Sequence, residues 1–352
     1  ITPIALVFRI TNVCCVTGQD RRHYGDLRHC RRNQLFFVPW LLVKAWLLPL
    51  PNSLQEQADQ AIDLAFEGII IYVNQTGKTP QFIASGWHNK EYKIPANPHA
   101  LYKLASISKL YDAAAVTKLV SQGRLSLNQT IADYLPELDG RIDNAKEITL
   151  RMMLQHKSGL PNFTDSPEFW AAPTETFEES LALIKDLPAN FEPGEDYEYC
   201  NTNYLLLNKI MDNTLGYPNF QFIQEEILNP LNLRHTFGSL KDVNIDDVMS
   251  GYHVGYPHDL KTDDHGMLAT AEDVGTFLRA LNDGSVFMND EAEIYAYEYE
   301  HSGWVPGYQS FAKYYADIDA VVVTFYNTTD KDLIYWNLSE ITNNRILKIL
   351  AK

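Results

Sequence analysis

The sequence predicts an α+β fold: one antiparallel sheet built from both ends of the chain and flanked by helices from the two termini, plus a mostly helical lobe. Three observations carry this. Short β-rich runs cluster near residues 68–87 and again near 294–326. Helical patterns and Pro/Gly-rich loops fill the chain from about 106 to 284. No repeat or low-complexity linker divides it, so the simplest arrangement is one sheet closed by both ends, with the middle as a second lobe.

Taken in order, residues 54–66 place Leu54, Ala58, Ala61, Ile62, Leu64 and Ala65 at helical spacing. Gly68–Asn74 and Gln81–Trp87 are rich in β-formers and flank a Gly77-Lys78 turn, which predicts a hairpin. After Leu104, the residues Leu110, Ala113, Ala114, Val116 and Val120 recur at helical spacing, and Gly123 marks a stop. Near the end, Ile294–Glu300, Gln309–Tyr314 and Ala320–Tyr326 read as strands, and Leu338–Leu350 as a helix. The organisation expected is an N-terminal segment, 1–51, and a main domain, 52–352. Within that domain, 52–105 and 285–352 form an α/β lobe and 106–284 a helical lobe.

At 352 residues, with 45% apolar and 21% charged residues, the chain is long enough to bury a substantial core. Its net charge of -16 is uneven. Residues 1–50 carry seven basic side chains against Asp20 and Asp26, or +5, which leaves -21 on the remainder. So acidic a body argues against nucleic acid as a partner, because phosphate binding needs a basic surface. Cys14, Cys15 and Cys30 precede the main domain and only Cys200 lies in it, so no disulfide framework is available there. No metal-ligand spacing stands out, and neither a metal nor another cofactor is expected.

The N-terminal stretch is rich in Arg and His before an apolar run, Leu35–Leu50, that Pro39, Lys44 and Pro49 interrupt. The run is short for a membrane-spanning helix. It resembles the apolar core of a secretory signal or an anchor, and the competing reading is an apolar segment docked on the body.

Three stretches could carry chemistry. In Leu104-Ala-Ser106-Ile-Ser-Lys109, Ser106 and Lys109 sit one helical turn apart on one face. A serine hydroxyl needs a nearby base, which a lysine one turn on can supply. The free N–H groups of a helix start favour the oxyanion formed on attack. The competing reading is that Ser106 only caps the helix. In Tyr199-Cys200-Asn201, an extended loop would point the Tyr and Asn side chains the same way. A phenol can pass a proton, and an amide can hold both a lysine and a substrate carbonyl. The alternative is a loop tyrosine packed on the core. In His301-Ser302-Gly303-Trp304, Gly303 would admit a substrate backbone and the Trp304 N–H would join that of Ser106 in an oxyanion hole. The alternative here is an ordinary Gly-rich turn.

Each motif alone is common by chance, but their order and spacing are not. Together they resemble the serine β-lactamase and penicillin-binding-protein superfamily, in its class C β-lactamase and D-Ala-D-Ala carboxypeptidase branch (S12-like). That family is marked by S-x-x-K, Y-x-N and [KH]-[ST]-G in this order. Leu154–Pro161, Asn229–Thr236 and Gly266–Val274 match its usual text as well, so the resemblance runs from about 54 to 350. It implies a cleft between two lobes lined by all three motifs. Ser106 would be the nucleophile, Lys109 and Tyr199 would be the proton-transfer groups, and Asn201, His301, Ser302 and Gly303 would bind substrate.

Two departures bear on substrate. His301 stands where β-lactamases carry Lys, which lowers the expected β-lactam hydrolysis. The stretch Asn289–Glu300 is short and acidic where the family has a longer hairpin. On a strand, Glu298 and Glu300 would share one face, with His301 on the other. The acids would repel an anionic substrate at the rim, while a nearby acid would favour charged His301. The expectation is a serine hydrolase acting through an acyl-enzyme on a D-Ala-D-Ala-type peptide, related amide or small ester, with neutral donors preferred. The alternatives are a penicillin-binding sensor or scaffold with negligible turnover, and a class C-like β-lactamase. Expected partners are small-molecule or peptide substrates, with peptidoglycan fragments or β-lactams among the candidates, and a membrane only through an N-terminal anchor. The expected location is secreted or cell-envelope, with cytoplasmic as the alternative.

Overall fold

The computed structural model describes residues 40–352, apart from 168, 170–173, 175 and 263–265. Its main sheet has six strands: β1 (Gly68–Gln75), β2 (Gln81–Asn89), β3 (Ile94–Pro95), β4 (His301–Val305), β5 (Tyr308–Tyr315) and β6 (Ala320–Tyr326). They lie in the order β3-β2-β1-β6-β5-β4, antiparallel throughout. The two ends of the chain meet in the middle, where β1 pairs with β6 from Ile69 opposite Tyr326 to Gln75 opposite Ala320. The longer helices are α1 (Trp40–Leu47), α2 (Leu54–Asp63), α3 (Ser108–Ser121), α4 (Asn201–Leu215), α5 (Ala271–Asn282) and α6 (Ile334–Leu350).

β1 reads Gly-Ile-Ile-Ile-Tyr-Val, a continuous apolar run rather than an alternating one, and both its faces are covered, as such a run requires. Ile69, Ile71 and Val73 face a core formed with Leu54, Ala58 and Ala61 of α2 and with Leu338 and Ile346 of α6. Ile70 and Tyr72 face the larger core, which includes Phe277 and Leu278 of α5. The terminal helices therefore cover one face, as expected. The other face differs from expectation. α5 falls within the stretch assigned to the helical lobe, yet it lies on the sheet. A Cβ on Gly275 would run into the Tyr72 ring, and Arg279 donates to the Asn74 carbonyl at 2.7 Å. The middle of the chain also carries two short strands, Thr236–Phe237 and Leu268–Ala269, which pair in a small sheet with Tyr102–Lys103.

Residues 294–300 are not a strand. A short helix, Glu291–Ile294, is followed by irregular chain up to β4. Side chains here bond locally instead of leaving the backbone to pair: Tyr295 Oη donates to the Glu298 carbonyl at 2.6 Å. The alternation expected for Glu298 and Glu300 is therefore absent. Glu291 anchors the segment, since its buried carboxylate meets buried Lys118 Nζ at 2.9 Å. Removing one partner of such a pair strands the other charge in the core. Glu291→Gln should cost about 3–5 kcal/mol in urea unfolding, and pairing it with Lys118→Met should recover much of the loss.

Of the N-terminal segment, residues 1–39 lie outside the described residues. Residues 40–51 dock on the body: Ala45 is fully buried, and Arg345 of α6 donates to the carbonyls of Leu48 at 2.9 Å and Pro49 at 2.6 Å. Among the described residues, no helix is long and apolar enough to cross a membrane.

Candidate active site

Ser106 sits in a 3-10 turn, Ala105–Ile107, that runs directly into α3, rather than in the first α-helical turn itself. Ala105, just before it, has φ +49, a left-handed value that costs a non-glycine residue about 1 kcal/mol or more. Packing holds the turn in place. Ser310 Oγ donates to the Leu104 carbonyl at 2.9 Å. Gly303 of β4 presses so close that a Cβ would collide with the Leu104 carbonyl, Ser310 Oγ and Ala105 Cβ. The glycine expected to admit substrate is thus required to seat the serine turn against the sheet edge.

Ser106 caps nothing: neither the turn nor α3 has a side-chain N-cap. Its Oγ instead accepts from Tyr199 Oη at 2.7 Å and from Lys109 Nζ at 3.2 Å. Lys109 Nζ also donates to Asn201 Oδ1 at 2.8 Å. Asn201 is held in that orientation because its Nδ2 donates to Thr164 Oγ1 at 2.9 Å and its N–H to Asn162 Oδ1 at 3.0 Å. Extended backbone at Cys200 lets Tyr199 and Asn201 reach the same place although Asn201 already begins α4. Ser108, the other hydroxyl of the motif, turns back to the Ala105 carbonyl at 2.8 Å.

β4 is the open edge of the sheet. Pro306 and Gly307 join it to β5, with Val305 opposite Tyr308. In a two-residue hairpin the closing pair is hydrogen-bonded, so Trp304–Gln309 is the non-bonded kind and the Trp304 N–H points off the open edge. Gly303 contacts the Ser106 turn from this strand, which leaves the Trp304 amide in the same neighbourhood.

His301 is less simple than expected. Burial, then Lys109, lower its pKa to about 4, only partly opposed by its bond to the Ser302 carbonyl. It is therefore neutral at pH 7, and of the two opposing effects weighed from the sequence, the one by which nearby acids favour the charged form does not prevail. Glu300 instead faces Lys313 at 4.0 Å. A second imidazole, His156, lies beside Tyr199, with ring centroids 4.5 Å apart. Burial, then Lys109 and His301, lower its pKa to about 3. In the sequence His156 stands out only as part of the Leu154–Pro161 stretch, and nothing local marks Asn162, Thr164 or Tyr297 as site residues.

Asp112 was also passed over, although i, i+3 spacing from Lys109 puts it on the same face of α3. It is buried, and burial pushes its carboxyl from 3.8 up to about 7, opposed by Lys109 and Asn208 and assisted by Asp212. The folded value lies above the unfolded one, so folding favours the protonated form. That contribution fades as pH rises from about 4 toward 7. Asp112→Asn should therefore raise Tm more at pH 8 than at pH 5, by about 2 °C or more at pH 8 in thermal melts. An equal change at both pH values would show that the carboxyl ionises freely.

A family model described as Beta-lactamase matches residues 54–298, most of the chain. The chain belongs to the beta-lactamase family. Among curated proteins, Protein flp of Staphylococcus aureus (strain MW2) is 28% identical over 193 residues, 53% of this chain and 39% of that protein. The chain thus spans under half the length of that relative. Among solved structures, D-amino acid amidase from Ochrobactrum anthropi SV3 complexed with D-phenylalanine superposes with TM-score 0.75 at 21% identity. The match covers 88% of this chain and 99% of the amidase. The penicillin binding protein from Bacillus halodurans gives 0.69 at 19% identity, covering 82% and 98%. These likenesses establish a beta-lactamase fold for the chain, as the resemblance implied. All three motifs of the family meet at one place in it: S-x-x-K at the sheet edge, Y-x-N at the head of α4, and H-S-G on β4.

Proposed function

We propose that this chain is a serine acyl hydrolase with Ser106 as nucleophile, acting on a small amide, a D-amino-acid peptide of the D-Ala-D-Ala kind, or an ester. One observation carries the reading: Tyr199 Oη and Lys109 Nζ both converge on Ser106 Oγ, at 2.7 and 3.2 Å. Both hydroxyls rotate, so Ser106 can donate to Tyr199 as readily as accept from it. On attack, the Ser106 oxygen bonds to the acyl carbon and its proton passes to the Tyr199–Lys109 pair, which accepts it when the two groups together hold one proton fewer than phenol plus ammonium. The N–H groups of Ser106 and Trp304 receive the oxyanion. The pair returns the proton to the leaving amine or alkoxide as the acyl carbon–leaving-group bond breaks. A water then repeats the sequence on the acyl-enzyme, releasing acid and Ser106. Asn201 keeps Lys109 aimed at the serine.

The names of the two structural neighbours, a D-amino acid amidase and a penicillin binding protein, support an amide or peptide donor. His301 in the place of a lysine weighs against efficient β-lactam turnover. A scaffold reading gains nothing from a site in which nucleophile and both proton-transfer groups are in contact. A cell-wall substrate would place the protein outside the cytoplasm or at the envelope. The test is a hydrolysis panel of p-nitrophenyl esters, a D-amino-acid amide, a D-Ala-D-Ala peptide and a chromogenic cephalosporin. Turnover of esters or amides above the cephalosporin fits the proposal, and none on any member contradicts it.

A further inference from the structure

Behind the catalytic residues, two imidazoles and a phenol form one directed chain of hydrogen bonds. The Cys200 N–H donates to His156 Nδ1 at 3.1 Å, and Asn203 Nδ2 adds a second donor to the same nitrogen at 3.2 Å. His156 Nε2 lies 3.4 Å from Tyr297 Oη, and Tyr297 Oη lies 2.7 Å from His301 Nε2. His301 Nδ1 reaches the Ser302 carbonyl. Both ends of the chain are unambiguous, because a backbone N–H only donates and a carbonyl only accepts. Neutral His156 therefore carries its proton on Nε2 and His301 carries its own on Nδ1. Tyr297 accepts from the first and donates to the second, and its hydroxyl also meets that of Tyr204.

The chain wraps the proton-transfer tyrosine. The Tyr199 ring centroid is 4.5 Å from that of His156 and 6.0 Å from that of His301, and Lys109 Nζ sits 5.2 Å over the Tyr199 ring. Tyr297 comes from the short segment that replaces the family's longer hairpin, and its ring lies 5.8 Å from His301 at 29°. For His301 to become a cation, Nε2 would have to take a proton. Two N–H donors would then converge on one phenol oxygen, and Tyr297 would have to turn its own proton away from His301, toward Tyr204, its other hydroxyl partner.

We infer that Tyr297 is a positioning residue that holds His301 as the neutral Nδ1–H imidazole, so that the H-S-G strand offers no cation of its own to a substrate carboxylate and the site selects neutral acyl donors. This rests on the acyl-hydrolase reading above and names its substrate class. The charged or titratable groups around His301 are Lys109 from α3, His156 and Tyr199 from the flanking loops, and Glu298 and Glu300 on its own segment. Glu300 is turned to Lys313, and the charge that acts on His301 is that of Lys109, which too opposes protonation.

Two-bond 1H–15N NMR of the imidazoles in the intact protein tests the first half without a variant. The expected result is His301 with Nδ1 protonated and Nε2 bare at pH 7, and an Nε2–H or doubly protonated ring would overturn the inference. Tyr297→Phe keeps the ring and removes the hydroxyl. At pH 5 it should raise severalfold the ratio of kcat/KM for a carboxylate-bearing ester to that for its neutral analogue. At pH 8 the ratio should match the parent protein. An unchanged ratio at pH 5 in a folded variant overturns the inference as well. Labelling of Ser106 by a fluorophosphonate keeps the two readings apart, because it reports the acyl-hydrolase activity whatever His301 does.

Discussion

Ser106→Ala should lower turnover of every acyl substrate on the order of 10⁴-fold or more, while substrate affinity changes little. The size follows from what is removed. Tyr199 and Lys109 both aim at the Ser106 oxygen, and Ser108, the neighbouring hydroxyl, is committed to the Ala105 carbonyl. Within the S-x-x-K motif, no second serine hydroxyl is left to take over the attack. What survives would be substrate binding and oxyanion stabilisation, which act on a water far less well placed than Oγ. Steady-state kinetics on a p-nitrophenyl ester checks this, and a loss of only a few-fold would move the nucleophile elsewhere.

The next largest losses should come from Tyr199→Phe and Lys109→Met, each on the order of a hundredfold or more in kcat, the usual scale of proton-transfer catalysis. Because the two side chains touch one oxygen and serve one step, the double variant should lose little more than the worse single variant. Additive losses would mean that they act in separate steps. Near-normal turnover in Tyr199→Phe would make Tyr199 a packing residue.

Much of this was legible in the sequence because it depends on local order. The helices at Leu54 and Ser108, the hairpin around Gly77 and the strands ending the chain follow from periodicity and turn residues within a dozen positions. The three motifs could be placed in order, and their meeting could be inferred from family resemblance. What was not legible depends on contacts between distant segments. Ile294–Glu300 has strand composition, yet Lys118, far away in the sequence, holds Glu291 and the chain turns before pairing. α5 has an ordinary amphipathic pattern, and only its packing partner Tyr72 assigns it to the sheet rather than to the helical lobe. Gly303 looked like room for a substrate because its true neighbour, the Leu104 carbonyl, lies some two hundred residues earlier. Charge was the hardest to read. Neighbouring glutamates left two opposing effects at His301 with no balance between them, and burial and Lys109 decide for the neutral ring. Asp112 stood in plain view three residues after Lys109, and nothing in its local sequence signals how deeply it is buried.

Everything proposed for this site turns on covalent acylation of Ser106. The most direct measurement is intact-mass spectrometry after exposure to a fluorophosphonate or a β-lactam, followed by peptide mapping, on the parent protein and on Ser106→Ala. The expected result is a single stoichiometric adduct that maps to Ser106 and is absent from the variant. An adduct on Ser108, or an equal adduct on the Ser106→Ala protein, would contradict it.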